Sequence, residues 1–313
     1  MLTYLALRGL SFLVPLVPPW LGYRWASLLG ELSYCMLWRP RRNVAANLRR
    51  VLGESASAAE RRAAARSVFR TGAMNYYDLF RVPRLDLERL RQLISVRGWE
   101  HVDMSLRGGK GVILVAPHLG NLDVVAHIAV LRSVPCTIPT EHLRPRCVLN
   151  LVTRMRAGRG LTIVPIDGSA SPARIVYQAL RRNELVGIIG DRDVQANGLP
   201  VLFFGQLTSF PSGPVALALR TGAPLHAARA LRVKGGAFDI EVTPPLDLPR
   251  SGDAKRNVQL GTQMLAESLE SFIRQTPGQW VVFEPVWPDR GNEADLGASV
   301  EVGADLEKRL RHG

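Results

Sequence analysis

The residues best placed to do chemistry lie in "GVILVAPHLGNLD", Gly111 to Asp123, where an apolar run breaks at Pro117 and His118 stands five positions before Asp123. On one regular helix that spacing would set the two side chains about 140° apart, on different faces. The chain is not expected to be regular here, because Gly120 and Asn121 follow the histidine and signal a turn. With Asn121 as N-cap, Asp123 falls in the first helical turn, and the turn can fold its carboxylate back towards the imidazole. A carboxylate in that place makes a histidine a good general base: it fixes the tautomer and stabilises the imidazolium. No GxSxG elbow is present, so the base would act directly on a substrate hydroxyl. Two plainer readings stand beside this one. An aspartate near a helix start is favoured by the helix dipole alone, and a histidine at a strand end can simply cap backbone groups.

Other polar residues gather at the ends of apolar runs: Glu141 in "TE", Asp167 in "PID", and Asp191, Arg192 and Asp193 in "GDRD". Open α/β sheets collect their sites at such ends. Three charges leaving an apolar strand are costly to bury unless paired or used; a surface turn with a local ion pair is the alternative. Arg154 and Arg156, near the end of a helix, suit a phosphate clamp or complement the helix C-terminus. Lys110 in "RGGKG" is no Walker loop, since the glycine spacing fails and no Ser/Thr follows.

The elements that must hold these groups come in two blocks. The first hundred residues read as helical and basic. "NVAANLRRVLG" stops at Gly53, the Ala/Arg-rich helix caps near Ser55 or Ser57 and ends before Pro83, and "LDLERLRQLISV" follows as a shorter helix. From Gly111 the pattern alternates. "GVILVAP", "VPCTIPTE", "LTIVPID" and "ELVGIIGDRD" read as strands, with helices between them and a further helix capped by Ser212. "PLHAARALRV" and "AFDIEVTPPL" read as paired strands around Gly235-Gly236, before a last amphipathic helix and a last strand, "QWVVFEPVW". This order predicts an α/β fold with a central mixed, partly parallel sheet flanked by helices. There are no internal repeats.

At 313 residues and 47% hydrophobic content the chain has ample material for a core. Its net charge is +13, carried almost wholly by arginine, with lysine only at positions 110, 234, 255 and 308. Arginine forks onto phosphate and never loses its charge, which points to an anionic partner; arginine-favouring codons would give the same composition without one. No nucleic-acid recognition motif or aromatic platform accompanies the charge, so nucleic acid is not the expected partner. Cys35, Cys136 and Cys147 lack metal or disulfide spacing. Residues 1–38 are apolar, yet Arg8, Arg24 and Glu31 interrupt them and three prolines break them, short of the ~18–20 uncharged residues a span needs. They suit a helical, membrane-associating region lying in the headgroup layer, with arginines snorkelling to phosphates, or a helical hairpin packed on the domain. Residues 39–288 then form the α/β domain and residues 289–313 a polar tail.

"GKGVILVAPHLGNLD" resembles the HX4D/E block of the bacterial lysophospholipid acyltransferase superfamily. The resemblance is closest to the branch of lipid A late acyltransferases and actinobacterial phosphatidylinositol mannoside acyltransferases. Also similar, and in the same order, are "RRNVAANLRRVLG", "EHLRP" with "TRMRAGRG", "GDRD", "FFGQLTSFPSGPVALALRTGAPL" and "PGQWVVFEPVWPD". The aspartate at 123 and the "GDRD" and "SGPVALALRTGAPL" blocks look more like the mannoside enzymes. The resemblance implies a peripheral enzyme on the cytoplasmic face of the plasma membrane. It would move a fatty acyl group, typically palmitoyl, from acyl-CoA as co-substrate to a mannose hydroxyl of phosphatidylinositol mannoside, without a cofactor. By motif, His118 is the base and Asp123 its partner; Asp191 stands where the family has a further acid near the histidine. Glu141, Arg154 and Arg156 match positions lining the donor or acceptor cleft, and Asp191, Arg192 and Asp193 join them as substrate-binding candidates. Leu122 replaces a common tryptophan and His142 an arginine, which bears on the acceptor's identity. The rival readings are a lipid A-type enzyme using acyl carrier protein and a non-catalytic lipid-binding protein.

Overall fold

A computed structural model describes residues 17–141, 161–166 and 171–287, with Gly9, Val14 and Thr153 as isolated positions. Arg154, Arg156, His142, Cys147, Asp167 and the tail 289–313 lie outside the described residues, as does the side chain of Glu141. In chain order the elements are helices α1 (Pro19–Met36), α2 (Trp38–Leu52), α3 (Ala58–Arg81) and α4 (Leu87–Leu93), then strand β1 (Ile94–Arg97), α5 (Trp99–Arg107), β2 (Val112–Ala116), α6 (Leu122–Leu131) and β3 (Cys136–Glu141). They continue as β4 (Leu161–Ile166), α7 (Ser171–Arg181), β5 (Leu185–Ile189), β6 (Leu199–Phe203), β7 (Gln206–Phe210), α8 (Gly213–Thr221), β8 (Leu225–Arg232), β9 (Phe238–Val242) and α9 (Ala254–Gln275).

Seven strands form one sheet in the order β1-β9-β8-β2-β5-β3-β4. Only the β8–β9 pairing is antiparallel. The sequence explains the centre: β2 reads VILVA and is buried at every position, as a strand covered on both faces must be. Its alternate residues feed two cores. Ile113 and Val115 pack with α7, α8 and α9, and Val112 and Leu114 pack with α5 and α6 on the other face. The expected α/β architecture is present.

Three expectations need correcting. "ISV" does not extend the helix before it; Ile94–Arg97 is a strand, because parallel pairing with Phe238–Glu241 overrides the local helical pattern. Residues 199–210 form an antiparallel hairpin, β6–β7, that the sequence reading did not assign. The run from Trp280 is not a strand but an irregular segment with a single bridge, Trp280 to Leu119.

The N-terminal helices lie against the domain. α3 starts at Ser57, whose side chain and that of Glu60 form a reciprocal capping box. α1 turns Gly22, Ala26 and Gly30 inwards and packs on α3. Its other side leaves Trp20 69%, Trp25 59% and Met36 76% exposed, with Leu28, Leu29 and Leu32 between them. Arg39 stacks over exposed Trp38 just beyond. Among the described residues no helix is long and apolar enough to cross a membrane.

Candidate active site

β2 and β5 are parallel neighbours whose last residues, Ala116 and Ile189, stand in register. The two chains therefore leave the sheet side by side. His118 lies two residues beyond one strand and Asp191 two beyond the other. His118 Nδ1 is 2.6 Å from Asp191 Oδ1. The backbone N–H of His118 donates to Asp191 Oδ2 at 2.8 Å, and the indole N–H of Trp280 donates to the same oxygen at 2.7 Å.

Asp191 is fully buried, whereas the His118 side chain keeps 21% of its surface exposed. Burial alone would raise the Asp191 pKa. The His118 ring, the Trp280 indole and the His118 backbone N–H overcome that and hold the carboxyl below the usual range. An ionised carboxylate only accepts hydrogen bonds, so His118 carries its proton on Nδ1 and, when neutral, its lone pair on Nε2.

The carboxylate at Nδ1 is that of Asp191, 73 residues away from His118. Asp123 sits in the first turn of α6, its N–H donating to the side-chain oxygen of the N-cap Asn121. The D-R-D triplet splits three ways. Asp191 faces the histidine. Arg192 reaches Glu284 at 3.3 Å. Asp193 ties its own loop together, accepting from the Gly198 N–H at 2.7 Å and the Ser209 hydroxyl at 2.6 Å.

The turn carrying His118 is held from three sides. Gly120 has φ +67°, and a Cβ there would lie 1.7 Å from the Ala230 carbonyl oxygen, so only glycine passes. The C-terminal segment clamps it: Val281 N–H donates to His118 O, and Gly120 N–H donates to Gln279 O. From α3, Asn75 donates to Gly120 O at 2.6 Å. Asn121 donates to Asp78 Oδ2 at 2.8 Å, and Arg232 donates to the same oxygen. Asp78 Oδ1 accepts the Tyr23 hydroxyl of α1 at 2.6 Å. Burial, followed by the Asp78 charge, drives the Tyr23 pKa upward. Asp78, Arg232, Tyr23 and Trp280 were not found by sequence reasoning; a lone aspartate inside "NYYDLF" was the available signal.

An apolar cavity of about 70 Å³ lies between α6 and one face of the sheet, where one water needs roughly 10–15 Å³. Ala116, Ile189, Thr140 and Asp123 line its end nearest the strands' carboxyl termini; Leu185, Cys136 and Trp99 line the deep end. Burial pushes the Cys136 thiol up to about 12, which leaves it a neutral, apolar wall. Phe203 and Phe204 pack with Trp280 and Trp287.

A partly exposed histidine held by a buried carboxylate, on the same sheet edge as an apolar void, suits transfer of a lipid group. Comparison with known proteins agrees. The family model for bacterial lipid A biosynthesis acyltransferase matches residues 1–288. The chain belongs to this family. It is also similar to a phosphatidylinositol mannoside acyltransferase of Mycolicibacterium smegmatis, 31% identical over 216 residues, 69% of each chain. A protein of the same name from Mycobacterium tuberculosis is 33% identical over 213 residues, 67% of this chain and 66% of the relative.

Proposed function

We propose that the protein transfers a long acyl group, palmitoyl by preference, from acyl-CoA to a mannose hydroxyl of a phosphatidylinositol mannoside. The observation that carries this reading is His118, fixed through Nδ1 by a buried, ionised Asp191, each two residues beyond a strand end, Ala116 or Ile189, that lines an apolar cavity. Nε2 takes the proton of the acceptor hydroxyl as its oxygen attacks the thioester carbonyl. The tetrahedral adduct collapses, the C–S bond breaks, and the imidazolium returns its proton to the departing thiolate. Ester and free CoA result, so the balance needs no enzyme nucleophile. Asp191 stabilises the transient imidazolium, and the cavity shelters the hydrocarbon, each buried methylene being worth about 0.8 kcal/mol. Arg154 and Arg156, with Glu141, remain candidates for holding the donor phosphates or the acceptor.

The same reading sets the protein on the cytoplasmic face of the plasma membrane. α1 supports it through its exposed tryptophans and leucines beside Arg39, Arg41 and Arg42, a composition that lies in an anionic headgroup layer. The acceptor's name comes from the relatives. The decisive experiment incubates the purified chain with labelled palmitoyl-CoA and phosphatidylinositol mannoside in vesicles. His118→Ala is expected to lower transfer by about 10²–10⁴-fold; unchanged transfer would remove the proposed base.

A further inference from the structure

Gly187 stands in the middle of β5, on the cavity face, between Leu185 and Ile189. Glycine weakens a strand interior and there marks a bulge, a bend or the close approach of a ligand or another backbone. On the β2 side Val186, Gly187 and Ile188 pair in unbroken register with Ile113, Leu114 and Val115, so there is no bulge there; on the β3 side the ladder joins Leu185 to Cys136 and Val186 to Thr137 and ends just before Gly187. Gly187 is absent from the residues with positive φ, so its backbone suits any side chain. A Cβ there would meet Ile138 Cγ1 at 3.6 Å and Cys136 Sγ at 4.0 Å, ordinary contacts with two other cavity-lining side chains. No neighbouring backbone crowds it. What glycine provides at this place is empty volume.

We propose that Gly187 sets the length of acyl chain the protein accepts, by leaving the cavity open halfway down its depth. This rests on the acyl-transfer reading above. Parallel strands rise about 3.3 Å per residue, which puts Gly187 about 7 Å below Ile189 at the mouth and about 7 Å above Leu185 near the floor. A bulky residue at 187 would close the lower half, with Trp99 and Cys136 beneath it, and leave the rim and the His118–Asp191 pair untouched. Ala126 and Ala129 of α6 face the same void with small side chains.

The test measures kcat/KM for CoA thioesters from octanoyl to stearoyl, with phosphatidylinositol mannoside vesicles as acceptor. It compares the native chain with Gly187→Ala, Gly187→Val and Gly187→Leu, and thermal melting checks that each variant is folded. Each methylene kept out of the cavity costs about fourfold. Gly187→Leu should therefore lower the palmitoyl-to-octanoyl ratio at least about tenfold, while octanoyl transfer continues. Valine should fall between leucine and alanine. An unchanged chain-length profile overturns the proposal and leaves the acyltransferase reading standing. Equal loss at every length in both the valine and leucine variants overturns it too. A native chain inactive with every thioester defeats both together.

Discussion

Replacing Asp191 by asparagine should be more damaging to rate than replacing it by alanine, and the reason lies in which atoms the carboxylate already holds. Oδ2 accepts two N–H groups, from the His118 backbone and the Trp280 indole. In an asparagine the amide oxygen must take that place, because an NH₂ cannot accept them. The NH₂ is then driven towards His118 Nδ1 and donates to it, which forces the ring proton onto Nε2. The base is locked in the tautomer that cannot take a proton. A carboxylate-to-amide change of this kind costs on the order of 10⁴ in kcat, about 5 kcal/mol at 1.36 kcal/mol per tenfold. Asp191→Ala loses the imidazolium's partner but leaves the ring free to choose its tautomer, so it should retain more rate. It should also melt earlier, since two buried donors lose their acceptor at about 1–3 kcal/mol each. Steady-state kcat with palmitoyl-CoA, alongside thermal melting, reads both effects. An asparagine variant within tenfold of the native rate, or an alanine variant slower than the asparagine one, would refute the tautomer argument.

Two further outcomes follow from other parts of the molecule. His226 is buried, its Nδ1 facing the Thr243 carbonyl and its Nε2 the Ser105 hydroxyl, and burial, with His101 nearby, lowers its pKa from 6.5. The folded state thus disfavours the charged ring, so stability should fall as pH drops below about 6.5 and level off once the folded pKa is passed. Urea melts from pH 8 to 5 test this, and a His226→Gln variant should lack that share of the slope. On α1, Trp25→Glu with Leu29→Glu should weaken sedimentation with anionic vesicles at least about tenfold while leaving the melting temperature unchanged, because both side chains are exposed. Unaltered sedimentation would reassign that face.

Much of the fold was legible in the amino-acid order because it is locally encoded. The apolar run to Pro117, the turn at Gly120 and Asn121, the helix after it and the cap at Ser57 are all set within a few residues. His118 was found in the same way. The Asp191 carboxylate at Nδ1 was not placed by spacing, because that partnership depends on β2 and β5 being sheet neighbours, and strand order leaves no local trace. The costliness of burying "GDRD" did flag Asp191 as a residue needing a partner, and the family resemblance set it near the histidine. Neither separated it from Arg192 and Asp193, whose partners come from Glu284 and from the 198–209 stretch. Likewise "ISVR" is a strand only because Phe238–Glu241 lies alongside, and Trp280 matters only because the C-terminal segment returns to the turn it clamps.

The Asp78 carboxylate is a shared fastener. One oxygen is gripped by the helix that shows its tryptophans to the outside, the other by the asparagine that starts the helix after His118. Cutting away the first helix to obtain a better-behaved protein would thus strip a hydroxyl from a buried negative charge three residues' reach from the base. A shortened chain that no longer reacts would say nothing, by itself, about whether the lost helix was an anchor.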